Sequence, residues 1–338
     1  MENLSVATAL ASLGAESATV AQRSRPPLVN RLAASLSYSA TTTLGAVGYV
    51  CLFWTLWRHR QEFHQKHAFY VLVWFLGVGD VGMLIAHYVV AIPISAAGEP
   101  MFGEGWLLIA LSNLDSVFFR VAVFANFFIA LNRLCIFANK RLYGLLFERA
   151  GILYCVVFTV AFTALRVFIR ESMGRHKMFT HEYFHFYFIA PERLSDEQKA
   201  FNKRYGLDWA DLITSNIDEK LAYVSMACYV GAYAYIKFVY RRGADAATGA
   251  ANNSSMERNL LVQGLIICTV TQVQVIVFVF IDSVLKWSEY LTGWPPAGGL
   301  LLSNLIILNN AINPYVYFAF NGSIRRHVLA ICSGYSGK

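Results

Sequence analysis

The sequence predicts an all-α membrane protein, a seven-transmembrane helix bundle closed by a short amphipathic C-terminal helix. Three observations predict it. Apolar residues make up 57% of the 338 positions and charged residues only 14%, where a soluble domain carries about 25% charged residues. The apolar residues gather in seven runs, most near the ~20 residues that a spanning helix needs. Lys and Arg recur between those runs on one side. The formal charge of +7 therefore suits an inner membrane face better than nucleic acid. The bilayer is the first partner the chain implies, and nucleic acid is not one.

The segment 1–31 mixes Ala, Ser, Glu and Arg without the compact apolar core of a signal peptide, and reads as an extracellular tail. Asn3-Leu4-Ser5 spells a glycosylation acceptor if that tail lies outside. The membrane-embedded body covers 32–320, with spans at 32–57, 68–93, 106–136, 151–169, 221–240, 259–281 and 298–320. The first and sixth carry no charge at all. Arg58, Arg60 and Lys66 follow span 1; Lys140, Arg141 and Arg149 follow span 3; Arg241, Arg242 and Arg258 follow span 5; Arg325 and Arg326 follow span 7. Segment 94–105 has no Lys or Arg, and 286–297 has only Lys286. The basic side is then cytoplasmic and the N-terminus extracellular, although Arg23, Arg25 and Arg31 oppose that orientation. The multi-pass chain is expected in the plasma membrane. Segment 170–219 reads as a long polar extracellular stretch, and the Gly-, Ala-, Asn- and Ser-rich 243–257 as a flexible cytoplasmic linker. No internal repeat of the kind that marks a transporter is visible.

The six cysteines (Cys51, Cys135, Cys155, Cys228, Cys268 and Cys332) form no CxxC and none falls in an extracellular segment, so neither a disulfide framework nor a zinc finger is expected. His181-Glu182-Tyr183-Phe184-His185 fits the H-E-x-x-H spelling of zinc proteases. That chemistry needs a helix with both histidines on one face and a further ligand. The aromatic run Tyr183 to Phe188 is instead strand-prone and reads as a β-hairpin or lid over a ligand pocket. No metal, cofactor or catalytic group is expected, and the chain is not read as an enzyme.

Polar groups inside the runs carry the functional signal, because an ionisable side chain in a bilayer is costly and usually faces the bundle interior with a partner. Asp80 lies about 18 Å into span 2 at 1.5 Å per residue, where it could meet Asn309 and Asn313 of span 7. Such a cluster reads either as a bistable switch or as a hydrogen-bonded structural aspartate. Span 7 ends in Asn313-Pro314-Tyr315-Val316-Tyr317; its proline removes a helical hydrogen bond, which membrane helices tolerate when neighbours satisfy the freed carbonyl. Residues 321–338 form a cytoplasmic amphipathic helix and tail. Phe320, Ile324, Val328 and Ile331 share one face and Arg325 and Arg326 lie on another, as for a helix resting on the inner leaflet. Cys332 at its end is either palmitoylated or a plain thiol. In span 3, Asp115 precedes Arg133 by 18 residues, about 27 Å and close to a whole number of turns, so both lie on one face at opposite depths. Arg120 is a poorly placed partner for Asp115, since helical pairs meet best three or four residues apart.

Asn-Pro-x-x-Tyr closing a seventh span, followed by a basic amphipathic helix, resembles the rhodopsin-like G-protein-coupled receptor superfamily. Asp80 in Leu76-Gly77-Val78-Gly79-Asp80 matches the acidic residue of that family's second helix, and Asn132-Arg133-Leu134 stands where it has an acid, arginine and tyrosine. Asn132 replaces the acid, the cysteine at the outer end of span 3 is absent, span 6 lacks the tryptophan–proline switch and span 1 lacks its asparagine. With the ending "IALNRLCIF", the pattern looks most like the nematode serpentine chemoreceptors of the Srx, Srt and Srv groups. The resemblance implies a G-protein-coupled receptor, chemosensory in role, that senses a small extracellular ligand and activates a heterotrimeric G protein. It places the ligand at Asp115 and Arg120, an activation switch and polar core at Asp80, Asn309, Asn313, Pro314 and Tyr317, and G-protein coupling at Asn132 and Arg133. A plain positive-inside anchor is the other reading of Arg133. The alternative function is a polytopic transporter or channel with Asp80, Asp115 and Arg120 along a polar pathway.

Overall fold

A computed structural model describes residues 25–61, 67–102, 106–148, 150–188, 195–237, 251–280 and 296–332. Seven long helices form the bundle: α1 (Leu28–Arg58), α2 (His67–Ala86), α3 (Trp106–Ala138), α4 (Ala150–Ser172), α5 (Leu207–Tyr235), α6 (Ala251–Val279) and α7 (Ala297–Phe320). The short helix α8 (Gly322–Cys332) follows at the basic end. Four helical stretches, Leu28–Arg58, Ala68–Ala97, Trp106–Ala138 and Ala150–Ser172, are long and apolar enough to cross a bilayer on length and composition alone, and Leu261–Val277 is a shorter apolar one. α7 is more polar because it carries Asn304, Asn309, Asn310 and Asn313, which turn inward.

The helices are apolar almost all round, as membrane spans are. α1 shows Val47, Val50 and Trp54 to the outside, and α4 shows Leu153, Val157 and Phe168. The inside is close-packed. α3 sits centrally, against α2, α4 and α5, while α7 packs between α1 and α6. Small residues let backbones approach. A Cβ added to Gly45 of α1 would lie 2.8 Å from the Ala311 Cβ of α7, and one on Gly79 of α2 would lie 2.8 Å from the backbone nitrogen of Ala122 in α3.

Several boundaries differ from the sequence expectation, each for a physical reason. The second helix does not stop at Pro93. It widens into a π turn at His87–Ala91, because the proline nitrogen cannot donate one turn back, and then continues as Ile92–Ala97. Gly98, at φ 69°, ends it. A short helix, Lys140–Phe147, joins α3 to α4; the Asn139 side chain accepts from the Leu142 amide at its start. α5 begins at Leu207, inside the stretch read as a polar loop, because its inward polar residues are engaged in an ionic network while Trp209, Leu212 and Ile213 face outward. α6 begins at Ala251, so 251–257 is helical rather than linker; the remainder of that linker, 243–250, and the tail bearing Asn3 lie outside the described residues.

The two ends of the bundle are unlike. One carries a two-stranded antiparallel hairpin, β1 (Lys177–Thr180) and β2 (His185–Phe188), with Lys177 opposite Phe188 and Thr180 opposite His185. Arg31 is at this end because its guanidinium hydrogen-bonds the carbonyl of Ala97, at the C-terminus of the second helix, at 2.5 Å. Arg25 is paired with Glu99. These two exceptions to the charge asymmetry thus serve local contacts. At the basic end, Asn321 caps α8 by accepting from the Ser323 and Ile324 amides, each at 3.2 Å. Ile324 is buried, Val328 packs on the core, and His327 stacks on His59, just after α1, with ring centres 3.7 Å apart.

Candidate ligand-binding site

The hairpin is positioned by contacts that four of its residues make with the helices. Successive strand residues point to opposite faces, which directs Lys177 and Phe179 of β1, with Phe186 of β2, into the bundle. The Lys177 ammonium donates to the Asp115 carboxylate of α3. The turn residue Phe184 is fully buried and left-handed at φ 56°. Its carbonyl accepts from Tyr38 of α1 at 2.6 Å and from Ser303 of α7 at 2.8 Å. Phe186 meets the His87 ring edge-on with centres 5.3 Å apart, and Phe188 lies under the Arg170 guanidinium at 4.2 Å. The H-E-x-x-H residues thus span the turn and the first position of β2, not a helix, and the described residues hold no group of metal-ligating side chains. Burial pushes the His185 imidazole pKa down.

Beneath the hairpin lies a cavity of about 220 Å³. Asp115 and Arg120, the two residues singled out in span 3, both line it, joined by Arg166 and Arg170 of α4 and by Lys177. Met83, Phe119, Val275 and Ile306 supply apolar wall. Arg120 does not pair with Asp115: its Nη1 donates to the Ser116 carbonyl one turn back at 3.2 Å, and the Asp115 carboxylate is held by Lys177. Nothing along the chain pointed to that partner, because a lysine in a loop ordinarily looks solvated. Burial lowers the Lys177 ammonium pKa; Asp115 opposes the shift, and Arg120 and Arg170 add to it.

A second ionic cluster forms the wall between α4 and α5. Arg166, fully buried, donates to Asp211 and, at 2.6 Å and 2.5 Å, to the hydroxyls of Thr214 and Ser215. Arg170 and Arg175 also reach Asp211, at 3.3 Å and 2.7 Å. This network holds the first turns of α5 in place.

Deeper in the bundle is the polar core. Asp80 accepts from Asn313 of α7 at 2.7 Å and from the Tyr49 hydroxyl of α1. Asn309, expected beside Asp80, lies one turn nearer the hairpin and donates to Gln274 of α6 instead. Tyr49 and Gln274 were not anticipated, since an uncharged polar residue inside an apolar run carries little signal. Pro314 sits inside α7 without ending it. Tyr317 is buried, with its ring 6.5 Å from that of Phe69. At the basic end, the Arg133 guanidinium lies 4.0 Å over Phe69. Asn132 is completely buried, and its amide makes no hydrogen bond among the described residues. It therefore faces the interior in this arrangement, and Arg133 is the more accessible of the two. Cys332 is the last residue of α8.

This arrangement, a lidded cavity over a polar core in seven helices, has relatives of known type. The family model described as serpentine type 7TM GPCR chemoreceptor Srt matches residues 40–336. The chain belongs to the Srt chemoreceptor family. Of the three serpentine groups that the sequence left open, the match selects Srt. As an Srt receptor the chain is a chemosensory G-protein-coupled receptor in a membrane, and neither an enzyme nor the transporter kept as the alternative. Among solved structures its fold is similar to that of squid rhodopsin, with a TM-score of 0.64 and 10% identity over 92% of this chain and 87% of that one. At that identity the likeness concerns the seven-helix fold alone. No curated protein matches the sequence.

Proposed function

We infer that this Srt receptor binds its ligand in the cavity under the hairpin and passes occupancy to a heterotrimeric G protein at the opposite, basic end. In this reading the hairpin end and the N-terminus face outward, and the bundle sits in the plasma membrane. One observation carries it. The cavity holding Asp115 and Arg120 shares α3 with Arg133 and shares α6 and α7 with the polar core, so a ligand touching the cavity wall bears on the helices that frame the coupling end.

The mechanism is a shift of population between two packings. The Asp80, Asn313 and Tyr49 cluster, with the Asn309–Gln274 bond beside it, is the element with alternative pairings: Gln274 Nε2, Asn309 Oδ1 and Asn313 Oδ1 make no hydrogen bond among the described residues, which leaves its amides able to exchange partners. Pro314 leaves a helical carbonyl unpaired and gives α7 a place to bend. Arg133 and Tyr317 both lie against Phe69, so a movement of α7 alters the surface Arg133 presents. Cys332, if acylated, would tether α8 to the same leaflet, and Asn3, if glycosylated, would mark the outer tail.

Replacing Arg133 by Ala tests the coupling role. Ligand-stimulated nucleotide exchange should fall by at least tenfold, while surface expression and ligand affinity stay close to wild type. Full signalling by that variant would remove Arg133 from the mechanism.

A further inference from the structure

Gln274 of α6 lines the cavity at the end nearest the polar core, beside Val275 and Ile306. The residue is fully buried. Its Oε1 accepts from Asn309 of α7, and its Nε2 makes no hydrogen bond among the described residues. An amide nitrogen can only donate, and a donor buried without an acceptor is costly. The charged side chains of the wall are already engaged. Lys177 holds Asp115, Arg166 and Arg170 reach Asp211, and Arg120 donates to the Ser116 carbonyl. Asp115 Oδ1 also makes no hydrogen bond among the described residues, but Lys177 meets the charge of that carboxylate. Met83, Phe119, Val275 and Ile306 complete an apolar surface beside the Gln274 amide. The volume of about 220 Å³ falls below the ~300–1,000 Å³ of sites for drug-sized ligands.

We propose that the cavity takes a small neutral molecule with a hydrogen-bond-accepting oxygen, a ketone or ester, whose carbonyl accepts from Gln274 Nε2 while a short apolar body lies against Met83, Phe119 and Ile306. This rests on the cavity being the ligand site, and it names the ligand's chemical class and the side chain that selects it. An ammonium brings only donors and leaves Nε2 unmet. A carboxylate would have to draw an arginine or Lys177 away from its present partner, whereas a neutral ligand leaves those pairings intact. The Gln274 amide also carries the contact onward. Hydrogen bonds in a chain polarise one another, so an acceptor on Nε2 strengthens what Oε1 receives from Asn309. Occupancy of the cavity is thereby felt on α7.

The test uses the full receptor purified in detergent, with its melting temperature followed against matched compounds. The probes are hexanone and butyl acetate. Their controls are the alkene in which a methylene group replaces the ketone oxygen, together with hexanol, hexylamine and hexanoate. Hexanone and butyl acetate should raise the melting temperature in a saturable way and at lower concentration than the alkene. Gln274→Met removes the donor and keeps a flexible chain of similar length. It should weaken ketone binding about 3- to 10-fold, the usual worth of a neutral hydrogen bond, and leave alkene binding unchanged. Partition into detergent is the same for both receptor forms, so the ketone-to-alkene ratio isolates the hydrogen bond. A merely structural effect would move both compounds alike. Gln274→Asn, which keeps the amide but draws it back by one methylene, carries the same expectation should Gln274→Met not fold. The proposal is overturned if neither hexanone nor butyl acetate stabilises the receptor, if the alkene stabilises it equally, if hexanol, hexylamine or hexanoate stabilises it more, or if the substitution leaves the ketone-to-alkene ratio unchanged. Melting needs no G protein, which separates the two readings. A ketone that binds through Gln274 without eliciting nucleotide exchange would sink the coupling mechanism and leave this assignment standing. Exchange elicited by a ligand indifferent to Gln274→Met would do the reverse.

Discussion

Lys177 and Asp115 place opposite charges side by side where water is nearly excluded. Removing one partner of such a pair typically costs about 3–5 kcal/mol, because the other is left buried and uncompensated, whereas replacing both by apolar groups can be close to neutral. Asp115→Ala should therefore lower the receptor's melting temperature sharply, and Asp115→Ala combined with Lys177→Met should recover much of the loss. Equal destabilisation by the single and double variants would show that the two charges are not coupled. At this scale the sequence was legible where depth alone decides contact. Asp80 and Asn313 meet because both lie near mid-helix, and that could be counted along the chain. Lys177, Arg166 and Asp211 were opaque, since a charge near a hydropathy boundary looks the same whether it faces solvent or a buried partner. Tyr49 and Gln274 were opaque for another reason: their polar atoms leave no mark on a hydropathy profile.

The helices themselves were easier to read. Long apolar runs must form helices in a bilayer, because every backbone group has to be satisfied within the segment. What hydropathy misjudged was their length. α5 extends through Asp208 and Asp211 because the arginines of α4 and the segment after it engage the carboxylates. The second helix runs past Pro93 by widening one turn. Contacts between helices depend on small residues, and α1 against α7 is the clearest case. Gly45→Leu would drive a side chain into Ala311 and Leu84, whose atoms already lie within 2.9 Å of an added Cβ. Overpacking of this kind costs about 1–3 kcal/mol. Thermal melting in detergent should show the loss, and an unchanged melting temperature would mean that α1 and α7 are not in close contact. The hairpin is anchored in another way, through the Phe184 carbonyl held by α1 and α7 at once, so movement of either helix is felt at the lid.

Across the whole molecule the same seven helices join two dissimilar surfaces. A lidded cavity lined by charged side chains occupies one end, and Arg133 with the basic helix α8 occupies the other; the polar core lies between them. Charge asymmetry and the Asn-Pro-x-x-Tyr ending made this polarity visible in the chain, and the match to the Srt family gives it a chemosensory purpose. The ionic character of the cavity was not visible, because its charges come from three separate segments, α3, α4 and β1, that only folding brings together. In the proposed mechanism, signalling turns on communication between the two ends. The most direct measurement of it is nucleotide exchange on a purified G protein by the receptor reconstituted in lipid nanodiscs, with and without a small molecule shown to bind. Ligand-stimulated exchange that is lost in Arg133→Ala is the predicted result; a ligand that occupies the cavity while exchange stays at its basal rate would contradict it.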